Sequence, residues 1–164
     1  MAKYSANVPT YSSVAVADAS NFTDAQYIAI QGGAAAARTA ISEVYVGGQA
    51  TSSAPQYILV ARDSTVGATG LTGVRTAALD ASAAGNTTPT IAFSTTTTKP
   101  QRSATLSLLN LSFNAFGGIV RWVAAPGSEL YLVGATASLG EISISASSSS
   151  TTGPIGTHAI YEQV

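Results

Sequence analysis

Residues 104–134, ATLSLLNLSFNAFGGIVRWVAAPGSELYLVG, contain three short runs in which apolar residues alternate with polar or small ones. A Gly-Gly pair separates the first run from the second, and a Pro-Gly pair separates the second from the third. Alternation with a period of two is typical of a β-strand, and such pairs favour turns. The stretch therefore predicts three successive strands, in which Val120 and Trp122 share the buried face and Arg121 points to the other.

The same alternation recurs along the chain and gives about ten short strands, spaced as in a sandwich or barrel. We therefore predict an all-β fold, an antiparallel β-sandwich that is jelly-roll-like, with an extended N-terminal arm. The alternating runs lie at residues 12–17, 26–31, 40–48, 55–64, 90–95, 104–113, 117–124, 129–134, 140–146 and 157–163.

Two details predict local geometry. The alternation changes phase at Leu108-Leu109, which predicts a β-bulge in that strand. The sequences SEVYV at residues 42–46 and SELYL at residues 128–132 repeat one pattern, which places Glu and Tyr on one face and Val or Leu on the other. By the same alternation, Ile41 is expected to share the face of Glu43.

The composition excludes several classes of protein. Ala, Gly, Ser and Thr make up about half of the 164 residues, charged residues make up 9%, and the net charge is −1. The absence of Cys excludes a disulfide framework, a thiolate metal site and a Cys nucleophile. Seven Lys and Arg against eight Asp and Glu predict no binding of nucleic acid or of a membrane surface. We expect a chain so poor in charge and in large apolar side chains to gain stability by assembling.

Residues that could support catalysis are few. His158 is the only imidazole, no G-x-S-x-G motif is present, and no His, Asp and Glu cluster has metal-ligand spacing. His158 is expected to be a surface or interface residue of the last strand. We predict no enzyme activity, no cofactor and no metal. A glycosidase built on two carboxylates from distant strands stays open as an alternative.

The first 24 residues differ from the rest, because they contain few large apolar side chains. We predict an extended arm over residues 1–24 and a β-sandwich domain over residues 25–164. Aromatic side chains on an extended backbone are suited to anchoring in a neighbouring subunit. The predicted contact residues of the arm are Lys3, Tyr4, Tyr11 and Phe22.

Several segments resemble a set of small β-rich proteins of tailed bacteriophages and prophages, of the capsid decoration (cement) type. The segments are SEVYVGGQATSSAP, ARDSTVGATG, TTKPQRS, LLNLSFNAFGGIVRWVAAPGSELYLVG and SLGEISISA, within residues 38–163. The resemblance implies a virion structural protein, made in the host cytoplasm and located on the capsid surface. It also implies a homo-oligomer, with a trimer favoured, and a viral major capsid protein as the partner.

Two further structural functions stay open beside this one. A jelly-roll major capsid protein would build the shell itself. A carbohydrate-binding or receptor-binding module of a phage tail or fibre would present aromatic side chains, among which Trp122 is the candidate.

Overall fold

The computed structural model of the chain describes residues 3–12, 27–32, 38–65, 75–83, 90–93, 101–133, 140–148 and 154–163. These residues form eleven β-strands, every pairing between them is antiparallel, and none of them belongs to a helix that could cross a membrane. The all-β prediction is therefore confirmed. The strands are β1 (Lys3–Ser12), β2 (Tyr27–Gln31), β3 (Thr39–Gly48), β4 (Pro55–Thr65), β5 (Arg75–Ala78), β6 (Thr90–Phe93), β7 (Gln101–Asn114), β8 (Ile119–Val123), β9 (Leu130–Leu132), β10 (Glu141–Ser148) and β11 (Pro154–Gln163).

The strands form two sheets. The first sheet has the order β5-β1-β11-β3-β8, with β9 also paired to β3, and the second has the order β6-β2-β10-β4-β7. The pairings are nested, because β1 pairs with β11, β2 with β10, β3 with β8 and β4 with β7. Each of the first five connections takes the chain from one sheet to the other. Among the described residues, no two consecutive strands pair with each other, including β6–β7 and β8–β9, which share a sheet.

One buried apolar cluster draws side chains from both sheets. It includes Ile41 and Val44 of the first sheet and Ile58 and Ile142 of the second, all fully buried. Burying a side chain of this size stabilises the fold by roughly 1.5–3 kcal/mol. Trp122 is half-buried and packs against this cluster, as the sequence predicts.

Two β-bulges, one in β7 and one in β3, change which side chains of these long strands face the core. In β7, Leu109 lies opposite Val60 and Ser107 lies opposite Ala61, so Leu108 is the extra residue, and the predicted bulge is confirmed. A second bulge in β3 is not visible in the sequence pattern. There Glu43 lies opposite Ile160 while Ile41 lies opposite Tyr161. The extra residue, Ser42, turns Ile41 into the core, so its expected place beside Glu43 is wrong.

The start of the predicted arm belongs to the first sheet. Lys3–Ser12 forms β1, which pairs with β11 on one side and with β5 on the other. Pairing on both sides satisfies backbone donors and acceptors without large apolar side chains, so composition alone gave no sign of this strand. The rest of the predicted arm, residues 13–24, and most of the predicted strand at residues 12–17 lie outside the described residues.

The turn between β7 and β8 packs against the end of β3. Gly117 has a φ of 70°, a conformation that glycine adopts without strain, as expected for the Gly-Gly turn. Asn114 stabilises this turn, because its Oδ1 accepts hydrogen bonds from the backbone N–H groups of Ala54 and Phe116, each 3.0 Å long. The backbone of Ala115 comes so close to Gly48 that a Cβ there would lie 2.1 Å from the Ala115 carbonyl oxygen.

Candidate interaction surface

Large apolar side chains are exposed along one edge of the first sheet. Of the six such side chains in the described residues, five lie between residues 116 and 133. We call these five the β8–β9 surface: Phe116 (60% exposed), Ile119 (73%), Val123 (49%), Tyr131 (39%) and Val133 (46%). The sixth, Leu79 (57%), follows β5 at the opposite edge of the same sheet.

This surface arises from strand order and alternation together. Strands β8 and β9 lie end to end beside β3, and the described residues place no strand on their other side. Along β8 the side chains of Val120 and Trp122 turn towards the core, which leaves Ile119, Arg121 and Val123 exposed. The strand is therefore apolar on both faces, although only one face is covered.

The backbone of β8 has one paired side and one open side. The Gly48 N–H donates to the Gly118 carbonyl, and the Ala124 N–H donates to the Ser42 carbonyl, each over 2.8 Å. Backbone groups of successive residues in a strand point to opposite sides. Since the even-numbered residues face β3, the N–H and C=O groups of Ile119, Arg121 and Val123 face away from it.

The charge of Arg121 is balanced within the chain. Its Nη2 and Nε donate to Glu43 Oε2 over 2.7 and 3.2 Å, and its guanidinium lies 4.8 Å from the centre of the Tyr45 ring. The Tyr45 hydroxyl donates to the same carboxylate oxygen. The hydrogen bond to Glu43 raises the pKa of Tyr45, and so does partial loss of solvent, while the charge of Arg121 opposes the shift.

The repeated SEVYV and SELYL sequences have matching side-chain arrangements. In the second copy the Tyr131 hydroxyl donates to Glu129 Oε2 over 3.4 Å. Val44 and Leu132 are fully buried on the opposite face in the two copies. The expected division, with Glu and Tyr on one face and Val or Leu on the other, is confirmed.

His158 lies in β11, as the sequence predicts. It is half-buried, and its ring centre lies 5.5 Å from that of Tyr45. Its backbone lies opposite Tyr45 on one side and Asn7 on the other. Tyr45 therefore contacts two side chains, the ring of His158 and the guanidinium of Arg121.

Two acidic side chains of the second sheet, Glu141 in β10 and Asp63 in β4, are buried. Glu141 accepts a hydrogen bond from Gln31 Nε2 over 2.6 Å, and Asp63 accepts one from Ser143 Oγ over 2.7 Å. Both carboxylates are fully buried, so neither faces solvent where a sugar chain would bind. No group of three or more His, Asp or Glu residues in the described part of the chain could hold a metal ion.

The structure does not place the three described arm residues at the β8–β9 surface. Lys3, Tyr4 and Tyr11 belong to β1, which β11 and β3 separate from β8. Phe22 lies outside the described residues. An interface role for these four residues stays a prediction.

Sequence reasoning missed the exposed residues of β8. The signal was present in IVRWV, where apolar residues occupy both faces. Trp122 assigns one face of the strand to the core. Apolar residues on the opposite face as well are typical of a surface that another molecule covers.

No protein-family model, no curated protein and no solved structure matches this chain. We therefore infer its function from the fold and from the β8–β9 surface.

An open groove lies between two strands of the second sheet, β4 and β7. It has a volume of about 440 Å³ and lies where the start of β4 meets the end of β7. Its lining is mixed in polarity, and consists of Pro55, Gln56, Tyr57, Ser112, Phe113 and Asn114.

Proposed function

We propose that this chain is a virion structural protein, a decoration protein that binds the outer surface of a viral capsid and stabilises the shell as a homo-oligomer. A trimer is the favoured oligomer, and the viral major capsid protein is the partner. The observation that carries the proposal is the β8–β9 surface, an exposed apolar edge on a chain with few charges.

The fold that we propose is a jelly-roll sandwich. Its support is the nested pairing of β1 with β11, β2 with β10, β3 with β8 and β4 with β7, which is the order of strands in a jelly roll. The buried cluster shared by both sheets is the core such a sandwich needs. Jelly rolls are common in viral capsid proteins and in lectins.

The surface chemistry favours binding to protein. Contiguous exposed apolar side chains in a folded protein mark sites of interaction. Charged residues make up only 9% of the chain and its net charge is −1, so identical subunits can crowd on a shell with little repulsion. Many weak contacts in a symmetric lattice act together, so each one can be modest.

The experiment uses particles from a strain that carries the gene. Particles are purified on a density gradient from the wild-type strain and from a strain in which the gene is deleted, and their proteins are quantified by mass spectrometry. We expect the chain in the wild-type particles at a fixed ratio to the main shell protein. Purified chain added to the deletion particles should bind them and raise the temperature at which they open.

The outcomes separate the candidates. A chain that is absent from wild-type particles contradicts the proposal, and so does purified chain that fails to bind the deletion particles. A chain that assembles into closed shells when expressed alone is instead a major capsid protein. An unrelated β-protein of similar mass serves as the binding control.

A carbohydrate-binding or receptor-binding module is the second candidate. It is favoured by Tyr131, which is 39% exposed beside the carboxylate of Glu129, since a ring beside a hydrogen-bond acceptor can bind a sugar. Trp122 is a poorer platform because it packs against the core. Binding on a glycan array that is lost in Tyr131→Ala would support this candidate.

A further inference from the structure

We propose that the β8–β9 surface binds a second copy of this chain, and that the two copies meet along the open backbone edge of β8. This inference rests on the homo-oligomer in the proposed function and names the surface that forms it.

The edge of β8 can accept another strand. The N–H and C=O groups of Ile119, Arg121 and Val123 point away from β3, because the residues between them bond to it. An uncovered strand edge is a template for pairing with another chain. The ladder between β3 and β8 also has no register shift, so the edge is regular over its whole length.

The other edge strands of the two sheets differ from β8 in length, regularity or surface. Within the described residues, β5 and β6 span four residues each and β8 spans five. Strand β7 is long, but its register against β4 shifts three times, and Asn110, Ser112 and Asn114 are exposed on it. Short length, bulges and polar side chains are the usual means of blocking edge pairing. Strand β8 combines regular pairing with two large apolar side chains, Ile119 and Val123, that are exposed along the strand itself.

The charge of the surface indicates what covers it. Arg121 is already paired with Glu43 in its own chain, so a partner need not supply an opposite charge. An occupant that is nearly neutral and apolar and that offers a free strand edge would fit this surface. A second copy of the chain presents all three properties at this place, with a net charge of only −1 to oppose association.

The test measures the mass of the purified full-length chain in solution by sedimentation velocity over a range of concentrations. We expect wild-type chain to form a defined oligomer. Ile119→Asp places a charge on the most exposed apolar side chain of β8 and should raise the dissociation constant at least about tenfold. Leu79→Asp is the matched control, because it changes another exposed large apolar side chain, at the opposite edge of the sheet, and should leave the mass unchanged.

A second pair of variants separates backbone pairing from side-chain packing. Val123→Pro removes an N–H group that faces the open edge, and it should also disrupt the oligomer. Val123→Thr keeps that N–H group and nearly the same shape, so it should assemble close to wild type. Circular dichroism and thermal unfolding show whether each variant is folded.

Each outcome decides the inference separately from the proposed function. A wild-type chain that is monomeric at its highest soluble concentration overturns the inference, even if it binds particles. Ile119→Asp that stays assembled but no longer binds the deletion particles also overturns it, because the surface then contacts the shell. A chain that assembles through β8 while no particle carries it supports the inference and contradicts the proposed function.

Discussion

Gly48 lies at the end of β3, where the turn between β7 and β8 passes closest to another strand. A Cβ at this position would meet backbone atoms of Ala115, which cannot move aside without shifting the turn. Gly47 is its matched neighbour, because a Cβ there would meet nothing within 4 Å. Adjacent glycines that look equivalent in the sequence therefore differ in whether a larger side chain fits.

We predict that Gly48→Ala destabilises the fold by about 1–3 kcal/mol, the usual cost of forcing an extra methyl group into a packed site. Gly47→Ala should stay within about 0.5 kcal/mol of wild type. Urea unfolding followed by circular dichroism measures both. Equal stability of the two variants would mean that the turn does not pack against β3 as described.

Tyr45 should titrate above the ordinary range of a tyrosine. Its hydroxyl donates to Glu43, and this bond favours the neutral phenol, so the pKa is raised. A raised pKa in the folded state means that this stabilising contact is fully present below the pKa of the unfolded chain. The stabilisation is lost as the pH rises through the higher pKa of the folded chain.

NMR of chain labelled at the tyrosine ζ-carbon, with Tyr45→Phe to assign the signal, measures this pKa. We expect Glu43→Gln to lower the pKa of Tyr45, because the negative acceptor is lost while Arg121 remains. An unchanged titration of Tyr45 in Glu43→Gln would contradict the assigned cause.

Single residues show which local features the alternation of apolar residues can predict. The bulge at Leu108 and the inward turn of Trp122 could be predicted, because each leaves a change of phase or a large apolar side chain in the sequence. The bulge at Ser42 could not. A polar side chain at this position is compatible with either face of the strand. The hydroxyl of Ser42 donates a hydrogen bond to the carbonyl of Ile160, a residue distant in the sequence.

Among the elements, β1 determines what removal of the N-terminal residues would do to the fold. A dispensable arm could be removed without loss of the sheets, but β1 pairs along β11 and also carries β5 at its outer side. Removing it exposes the inner edge of β11 and leaves β5 without its described neighbour. An element that looks peripheral in the sequence is therefore interior to a sheet.

We predict that deletion of residues 1–12 abolishes cooperative thermal unfolding, because an interior strand of the first sheet is lost. The matched control keeps all 164 residues and replaces Lys3 with Ala, which leaves the backbone of β1 able to pair. Differential scanning calorimetry compares the two. A truncated chain that still unfolds in one sharp transition near the wild-type temperature would show that β1 is dispensable.

For the whole molecule, the sequence could predict the fold class but not the order in which the strands pair. Alternation and turn residues are local, so most strands and their antiparallel character could be read from them. The order of strands is set by contacts between distant segments, such as that of Lys3 with Glu162. The β8–β9 surface depends on that order, because β8 is exposed only through its place at the end of the sheet.

The pairing of the first strand with the last has a consequence during synthesis. Ribosomes add roughly 5–20 residues per second, so β1 leaves the ribosome on the order of ten seconds before β11 is made. During that interval β1 lacks the neighbour that completes its pairing in the first sheet. The newborn chain therefore passes through a period in which its earliest segment can meet strands of other nascent chains, and a holding chaperone would act on it then.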